Sequence, residues 1–264
     1  VLEHIPELKP SQVLCEPEGR NTAPCIAYAT YRIAAEHEEA NIIVAPSDHL
    51  IADVPEFHKI IGLALSEASE TKNLVTLGIS PSRPDTGYGY IHFENQKTPR
   101  NPVLKKVLAF KEKPDVDTAQ SFLDDGNYLW NSGIFIWSLQ NIKESFDVHL
   151  PEMAQIFKDG ASKLGTPAED AFIQANFSKC ESISIDYGIM ERASDVSVVV
   201  SDFGWSDLGT YGSLYTHVKK DIEGNGSVGA KTRFYESNNN LISTSKGKMV
   251  VTKGLEGFIV IETE

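Results

Sequence analysis

The chain has 264 residues, of which 41% are hydrophobic and 23% are charged, so it is long enough for one or two domains with a sizeable core. Its formal net charge of −13 argues against nucleic acid and against an anionic membrane surface as partners. No apolar run approaches the length that crosses a bilayer, and residues 1–6 lack the features of a signal peptide.

Cysteine and histidine usage argues against disulfides and against a zinc site. There are three cysteines, Cys15, Cys25 and Cys180, and no C-x-x-C pair, which favours buried thiols in a reducing, cytoplasmic setting. The seven histidines show neither H-x-H nor H-E-x-x-H spacing, so we predict no zinc centre.

The first predicted elements surround a polar loop. Residues 13–15 form a short apolar run that predicts a strand, and residues 16–24 are dense in turn formers. Thr22 is an N-cap candidate and Pro24 lies near the first position of a helix that runs to about His37. A loop that feeds a helix N-terminus is a natural anion or nucleotide site, but for Thr22 and Pro24 we favour plain capping.

Residues 42–45 predict a buried strand of the parallel type, and Asp48 and His49 follow its carboxyl end. An acidic residue there is well placed to hold a divalent cation against phosphates. The alternative for Asp48 is a turn cap. We expect His49 to be a packing neighbour rather than a ligand.

Residues 54–69 predict a helix, residues 74–79 a strand, and residues 86–91 the entry to another strand. The run from Gly87 to Gly89 lacks the third glycine and the following helix of a dinucleotide-binding fingerprint. We therefore reject a Rossmann dehydrogenase.

The stretch from 110 to 137 predicts a strand, a helix and a second strand. The apolar run 107–110 ends at Glu112 and Lys113, and Pro114 stops it because proline cannot donate to a ladder. A helix follows, with Asp115 or Asp117 as its N-cap candidate.

The same stretch then passes through residues 131–133, which predict a small polar turn, into the strand 134–137. We expect Glu112, Lys113 and Asn131 to face one crevice at the strand ends, where open α/β sheets bind ligands. The alternatives are a solvated Glu-Lys pair and a turn without further function.

The remaining predicted elements are helices near 141–146, 151–158, 168–175 and 185–192 and a strand at 196–200, after which Asp207 follows. From residue 226 short β-like pieces alternate with turns at 241–242, 249–251 and 258–261. We predict an α/β domain over 1–225 with a mixed, mostly parallel sheet, and a β-rich segment over 226–264.

Seven motifs between residues 14 and 210 occur in one order: E-P-x-G-R-N-T-A-P (16–24), P-x-D-H (46–49), T-G-Y-G-Y-I (86–91), F-x-E-K-P (110–114), W-N-S-G-x-F (130–135), I-D-Y (185–187) and G-W-S-D-L-G (204–209). The set resembles the nucleotidyltransferases that make nucleotide sugars. R-N-T-A-P points to the mannose-1-phosphate guanylyltransferase (GDP-mannose pyrophosphorylase) branch. The resemblance implies a Rossmann-like, GT-A-like three-layer sandwich.

The resemblance also implies the reaction, in which GTP and mannose 1-phosphate give GDP-mannose and pyrophosphate. Asp48 and Asp207 would then hold Mg²⁺ on the phosphates, and Lys113 would grip the phosphate of the sugar. Glu112 and Asn131 would bind sugar hydroxyls beside the Gly89 backbone. The guanine end would be contacted by the loop residues Glu16, Gly19, Arg20, Asn21 and Thr22.

The chain departs from the family pattern in three places. Cys25 and Gly188 stand where the family usually has alanine. The glycine-rich opening loop, G-G-x-G-x-R, that cradles the triphosphate is absent. We therefore expect an N-terminally truncated chain that is inactive alone, and self-association into a homo-oligomer through the exposed strand near Val13.

Two alternatives stay open at this point. The first is a pyrophosphorylase for another sugar 1-phosphate and nucleotide, which a substrate panel would distinguish. The second is a non-catalytic regulatory subunit that binds nucleotide sugars. Asp48, Lys113 and Asp207 argue against the second alternative, whereas the absent loop argues for it.

Overall fold

The computed structural model describes residues 1–95 and 103–263. Their contacts divide the chain into a first unit, Val1–Pro46 with Asp53–Phe203, and a second unit, Ser47–Ala52 with Gly204–Glu264. The predicted ranges 1–225 and 226–264 include residues 96–102 and Glu264, which lie outside the described residues. Residue 226 begins a strand inside the second unit.

The helices are α1 Thr22–Ala34, α2 Val54–Glu70, α3 Val116–Asp125, α4 Leu139–His149, α5 Pro151–Asp159, α6 Glu169–Asn176 and α7 Tyr211–His217. The strands are β1 Asn41–Val44, β2 Leu50–Ile51, β3 Leu74–Ile79, β4 Tyr90–Phe93, β5 Leu104–Lys111, β6 Tyr128–Ser138, β7 Val196–Ser201, β8 Trp205–Ser206, β9 Gly226–Val228, β10 Lys231–Tyr235, β11 Leu241–Ser243, β12 Met249–Lys253 and β13 Ile259–Ile261.

The first unit is built on a six-stranded sheet with the order β1-β6-β3-β7-β5-β4, in which β4 also pairs with β6. The α/β class and the mixed sheet are confirmed. The expectation of mostly parallel pairing is wrong, because β3 and β7 form the one parallel pair among the described strands of this sheet. The long strand β6 runs opposite to all three of its neighbours, β1, β3 and β4.

Helices cover both faces of this sheet. Leu74 belongs to the cluster that includes buried residues of α1, α4 and α5, whereas the adjacent Val75 is buried outside that cluster. Successive side chains of a strand point to opposite faces. Helix α2 packs on β1, β3, β6 and β7 through a face that buries Ile60, Ala64 and Ala68. The sheet is therefore the middle of three layers.

Local patterns predicted several elements well. Helix α2 and strand β3 match their predicted bounds within one residue, and Asp115 caps α3 by accepting from the Thr118 N–H at 2.8 Å. The predicted helices near 141–146, 151–158 and 168–175 are α4, α5 and α6. These segments carry their own caps or apolar periodicity, so they need no distant partner to be recognised.

The strand predicted at residues 13–15 is wrong. These residues are irregular, and no other described strand pairs with them. A strand without a neighbour has no ladder to stabilise it. The strand edge to which we attributed self-association is thus not formed. The first helix is capped by Asn21 rather than by Thr22, which is its first helical residue.

The prediction of a buried parallel strand at residues 42–45 is also wrong. Strand β1 lies at the sheet edge, pairs antiparallel with β6, and leaves Ile43 42% exposed. An edge strand has a neighbour on one side alone, so apolar residues do not guarantee burial there.

The predicted turn at residues 131–133 is a bulge inside the continuous strand β6. Thr76 lies opposite Phe135, and Gly78 lies opposite Asn131, so two steps along β3 correspond to four along β6. Gly133 takes up the distortion with a φ of 69°. Bulges of this kind redirect side chains, and this one begins at Asn131.

In the second unit, β2 pairs antiparallel with β8. The C-terminal strands pair in parallel, β9 and β13 with β11, and β10 with β12. Short parallel strands stacked in this way are the rungs of a β-solenoid. The β-like pieces predicted near 241, 249 and 259 are confirmed. Among the described residues, no helix is both long and apolar enough to cross a membrane.

Candidate functional site

A carboxylate, an amide and a glycine backbone come together where β4 begins, β5 ends and the bulge of β6 starts. Strand β4 lies between β5 and β6, with Tyr90 opposite both Lys111 and Trp130. Gly89 precedes Tyr90, Glu112 follows Lys111, and Asn131 follows Trp130. The Asn131 backbone N–H donates to the Gly89 carbonyl at 2.8 Å, which holds Gly89 against β6.

The Glu112 carboxylate occupies the space that a side chain at position 89 would need. A Cβ added to Gly89 would overlap Glu112 Oε2 and would lie 3.4 Å from Asn131 Cβ. Glycine is therefore needed here for close approach rather than for a positive φ. The predicted trio of Gly89, Glu112 and Asn131 lies in one place.

The side chain of Asn131 is held at both of its polar atoms. Its Nδ2 donates to Asp186 Oδ1 at 2.7 Å, and its Oδ1 accepts from the Gly133 N–H at 3.1 Å. Thr76 Oγ1 lies 3.4 Å from the same Oδ1. One Nδ2 hydrogen remains for a ligand, since a primary amide has two donors.

The surroundings of Glu112 raise the pKa of its carboxyl group. Burial, together with the negative charges of Asp186 and Glu191, raises the pKa of Glu112 to about 7, while Lys113 opposes the increase. The same environment acts on its neighbours, because burial raises the pKa of Asp186 and that of Glu191 as well. At neutral pH this side chain can therefore either accept or donate a hydrogen bond.

Lys113 offers a cation beside this carboxyl. Its Nζ lies 3.9 Å from Glu112 Oε1 and its side chain is 64% exposed, so the ion pair leaves the ammonium accessible to an anion. Its backbone has a φ of 45°, an uncommon conformation for a residue other than glycine. Such a conformation persists only where the surrounding structure imposes it.

The loop residues predicted to contact a nucleotide are largely engaged by the chain itself. Arg20 donates to Glu18 and to the Cys180 carbonyl, and Asn21 caps α1. Thr22 Oγ1 accepts from the Ile185 N–H at 2.8 Å. Glu16 interacts with Cys25, and nothing lies within 4 Å of a Cβ built on Gly19. This loop therefore braces the segment before Asp186.

The second unit contains the two acidic residues predicted as metal ligands. Strands β2 and β8 pair Leu50 with Ser206 and Ile51 with Trp205, so the same register places His49 opposite Asp207. Asp48 precedes His49 directly and is exposed, whereas Asp207 is half-buried. A Cβ on Gly209 would lie 2.7 Å from Asp207 Oδ2, so the turn after β8 folds closely over this carboxylate.

His49 lies between the two acidic residues, next to Asp48 in sequence and opposite Asp207 in register. Burial lowers the pKa of His49, and the charges of Asp48 and Asp207 partly oppose that effect. Its Nδ1 accepts from Trp205 Nε1 at 3.1 Å, and the two rings meet edge to face. A neutral ring with Nδ1 as acceptor carries its proton on Nε2. His49 is thus a packing neighbour of Trp205.

The donors that Asp48 and Asp207 supply are carboxylate oxygens. Mg²⁺ prefers such donors, and it binds through one or two carboxylates while substrate phosphates and water complete its shell. No cluster of three or more metal-ligating side chains exists in the described part of the chain. Two acidic groups beside one histidine therefore fit a magnesium ion that is shared with a substrate.

Sequence reasoning did not place Asp186 and Glu191 in the site. Asp186 contacts Asn131, and Glu191 adds to the negative potential at Glu112. The available signal was the pair of acidic residues, Asp186 and Glu191, in the mainly apolar run from 185 to 191. Their partners, Asn131 and Glu112, are distant in sequence, so the local pattern gave no indication of the contact.

Comparison with known proteins assigns the chain to a family. Residues 2–224 match the family described as Nucleotidyl transferase. The chain belongs to the nucleotidyl transferase family. A mannose-1-phosphate guanylyltransferase from Escherichia coli is 33% identical over 269 residues, which cover 100% of this chain and 57% of that protein. A protein of the same name from Sinorhizobium fredii is 36% identical, over 96% of this chain and 49% of that protein.

The fold comparison agrees with the family assignment. A crystal structure described as mannose-1-phosphate geranyltransferase from Thermus thermophilus has a TM-score of 0.84 and 26% sequence identity. The match covers 100% of this chain and 81% of that one. The chain spans about half the length of the curated relatives that it matches.

Proposed function

We propose that this nucleotidyl transferase chain serves the synthesis of GDP-mannose and pyrophosphate from GTP and mannose 1-phosphate. The observation that carries the proposal is the group formed by Gly89, Glu112, Lys113 and Asn131, which combines hydroxyl-binding groups with an accessible cation. A sugar 1-phosphate presents hydroxyls and one dianionic group, and the four residues offer a partner for each. The names of the relatives from E. coli and S. fredii supply the choice of mannose and guanine.

In this mechanism the sugar phosphate needs no general base, because its phosphate oxygen is already an anion at neutral pH. A P–O bond forms between that oxygen and the α-phosphorus of GTP, and the bond from the α-phosphorus to the bridging oxygen breaks. Pyrophosphate leaves with that electron pair. The barrier consists mainly of repulsion between anions, so positioning and positive charge supply most of the catalysis.

The residues of the chain have distinct parts in this scheme. Lys113 holds the phosphate of the sugar as a point charge, while Glu112 and Asn131 orient the sugar through its hydroxyls. Asp48 and Asp207 would hold Mg²⁺, which would supply positive charge against the phosphates of the nucleotide. Residues 16–22 are proposed to contact the guanine end.

Calorimetry and a pyrophosphate-release assay test the proposal together. Mannose 1-phosphate, glucose 1-phosphate and N-acetylglucosamine 1-phosphate are titrated in turn, and each is assayed with GTP, ATP, UTP and dTTP in the presence of Mg²⁺. The expected result is tightest binding of mannose 1-phosphate, with pyrophosphate release from GTP in a protein that also carries the glycine-rich loop and little release from this chain, whose sequence lacks that loop. Preference for another sugar phosphate or nucleotide would overturn the proposed synthesis, and ready release of pyrophosphate by this chain alone would overturn the expected inactivity.

A further inference from the structure

Asp186 is a half-buried carboxylate to which the proposed reaction gives no role. It begins a five-residue π-helical turn, Asp186–Met190, between the buried residues Ile185 and Met190. Turns of this type are rare and occur frequently at functional sites. Burial makes the largest contribution to the raised pKa of Asp186. A charged carboxylate at this position therefore costs free energy unless hydrogen bonds or neighbouring charges compensate for the lost water.

The turn is held from several sides. The Ile185 N–H donates to Thr22 Oγ1 at 2.8 Å, which ties the turn to the start of α1. The Gly188 N–H donates to the Ser184 carbonyl at 2.8 Å, and the Glu191 N–H donates to the Asp186 carbonyl at 2.9 Å. Asp186 therefore has a fixed backbone from which its carboxylate can position another group.

The group that it contacts is the Asn131 amide. Asn131 Nδ2 donates to Asp186 Oδ1, and Asn131 Oδ1 accepts from the Gly133 N–H. If the Asn131 amide were flipped, its NH₂ would face the Gly133 N–H and its oxygen would face the Asp186 carboxylate, so both hydrogen bonds would be lost. The remaining Nδ2 hydrogen is thereby directed to one place. The loss of Asp186 would leave the Gly133 contact alone to orient Asn131.

The second group that Asp186 influences is Glu112. The charged and titratable neighbours of Glu112 are Lys113 from its own turn, Asp186 and Tyr187 from the π-helical turn, and Glu191 beyond that turn. Lys111 in turn faces Glu191. Asp186 is the acidic neighbour that both acts on Glu112 and contacts Asn131.

We propose that Asp186 is the positioning residue of the sugar-binding group: its carboxylate fixes the Asn131 amide and adds a negative charge to the surroundings of Glu112. This inference rests on the proposed function for its ligand, mannose 1-phosphate. It extends that function by giving Asp186 an indirect role, in which it acts on the sugar through Asn131 and Glu112. Sugar binding should therefore change with pH near neutrality in a manner that depends on Asp186.

Three variants separate the two effects. Asp186→Asn keeps an acceptor for Asn131 but removes the charge, and Asp186→Ala removes both. Glu191→Gln removes a neighbouring charge without touching Asn131 and serves as the matched control. The measurements on the ligand-free protein are the Asn131 side-chain NH₂ signal and the Glu112 carboxyl titration by NMR. The affinity for mannose 1-phosphate between pH 5.5 and 8.5 is then measured by calorimetry.

Asp186→Asn should leave the Asn131 signal in place and lower the midpoint of the Glu112 titration by about one pH unit, as the loss of a nearby like charge does. Asp186→Ala should shift the Asn131 signal and weaken binding of mannose 1-phosphate about tenfold, the effect of one lost hydrogen-bonded contact. Glu191→Gln should leave the Asn131 signal unchanged.

An unmoved Glu112 midpoint in Asp186→Asn would overturn the inference, and so would an unchanged Asn131 signal in Asp186→Ala. If Asp186→Ala does not fold, the midpoint in Asp186→Asn still decides. If the two variants show both NMR effects but the wild-type protein does not bind mannose 1-phosphate, the positioning role stands and the proposed function fails. If the wild-type protein binds mannose 1-phosphate but the variants show neither NMR effect, the proposed function stands and the positioning role fails.

Discussion

Gly89 lies so close to the Glu112 carboxylate that an added Cβ would overlap Glu112 Oε2. We therefore predict that Gly89→Ala displaces the Glu112 carboxylate and weakens binding of mannose 1-phosphate at least about tenfold. The free energy of unfolding should fall by about 1 kcal/mol, the low end for overpacking, because the atom that must move is the end of a flexible side chain. The control is Gly62→Ala, on the exposed face of α2 with nothing within 4 Å of the new Cβ. It should raise the free energy of unfolding by about 0.5–1 kcal/mol and leave binding unchanged. Calorimetry and urea unfolding measure both effects, and normal binding by Gly89→Ala would contradict the geometry.

Lys113→Ala should weaken binding of mannose 1-phosphate about tenfold to a hundredfold and change GTP affinity little, because its ammonium has one phosphate to meet. Lys111→Ala is the matched control, since it removes the same charge two residues earlier, at the end of β5. Calorimetric titration of each variant with both compounds gives the comparison. Equal losses for the two compounds, or equal effects of the two lysines, would point to general electrostatics instead of a phosphate contact.

The raised pKa of Glu112 predicts a pH-dependent stability. An unfolded chain loses this proton near pH 4.5, whereas the folded chain keeps it until about pH 7. The folded state then binds more protons in that range, so the free energy of unfolding should fall as the pH rises from about 4.5 to 7 and stay lowered above it.

Glu112→Gln is neutral at every pH and should remove this part of the pH dependence. Urea unfolding at pH 5.5 and at pH 8 should show a smaller loss of stability in the variant than in the wild type, by on the order of 1 kcal/mol. Identical losses would show that Glu112 ionises near its ordinary pKa.

In a protein that also carries the glycine-rich loop, Asp207→Asn should raise the Mg²⁺ concentration needed for half-maximal pyrophosphate release and reduce turnover strongly, because an amide is a weaker ligand for a hard cation. Asp202→Asn provides the control, as Asp202 is an exposed acidic residue five positions earlier in the chain. A titration of Mg²⁺ in the release assay, with saturating GTP and mannose 1-phosphate, supplies the measurement. Normal turnover by Asp207→Asn would remove this residue from the proposed ligands.

Much of the fold could be predicted because its signals are local. Asp115 caps a helix through a backbone N–H three residues away, and the apolar run 74–79 needs no distant partner to be recognised as a strand. The edge position of β1 could not be predicted in this way. Residues 42–45 have the apolar composition of a central strand. Their edge position depends on the order of strands in the sheet, in which β1 comes first and pairs with β6 alone, and the local sequence does not contain that order.

The sequence predicted that Gly89, Glu112, Lys113 and Asn131 belong to one site, but it did not predict Asp186 and Glu191 there or the contacts that join these residues. Asn131, Ser132 and Gly133 have the chemistry of a turn, and the pairing with β3 makes them a bulge in a long strand. The contact from Asn131 to Asp186 spans 55 residues, so no local pattern contains it. The environment that raises the pKa of Glu112 is likewise created by tertiary contacts.

The measurement that tests the central claim most directly is the calorimetric titration of the 264-residue chain with mannose 1-phosphate, beside the Lys113→Ala and Lys111→Ala variants. The structure brings Glu112 and Lys113, at the end of β5, close to Asn131 in the bulge of β6, so the account predicts saturable binding to the wild type. It predicts much weaker binding to Lys113→Ala and near-normal binding to Lys111→Ala. Absence of saturable binding, or the same affinity in all three proteins, would contradict it.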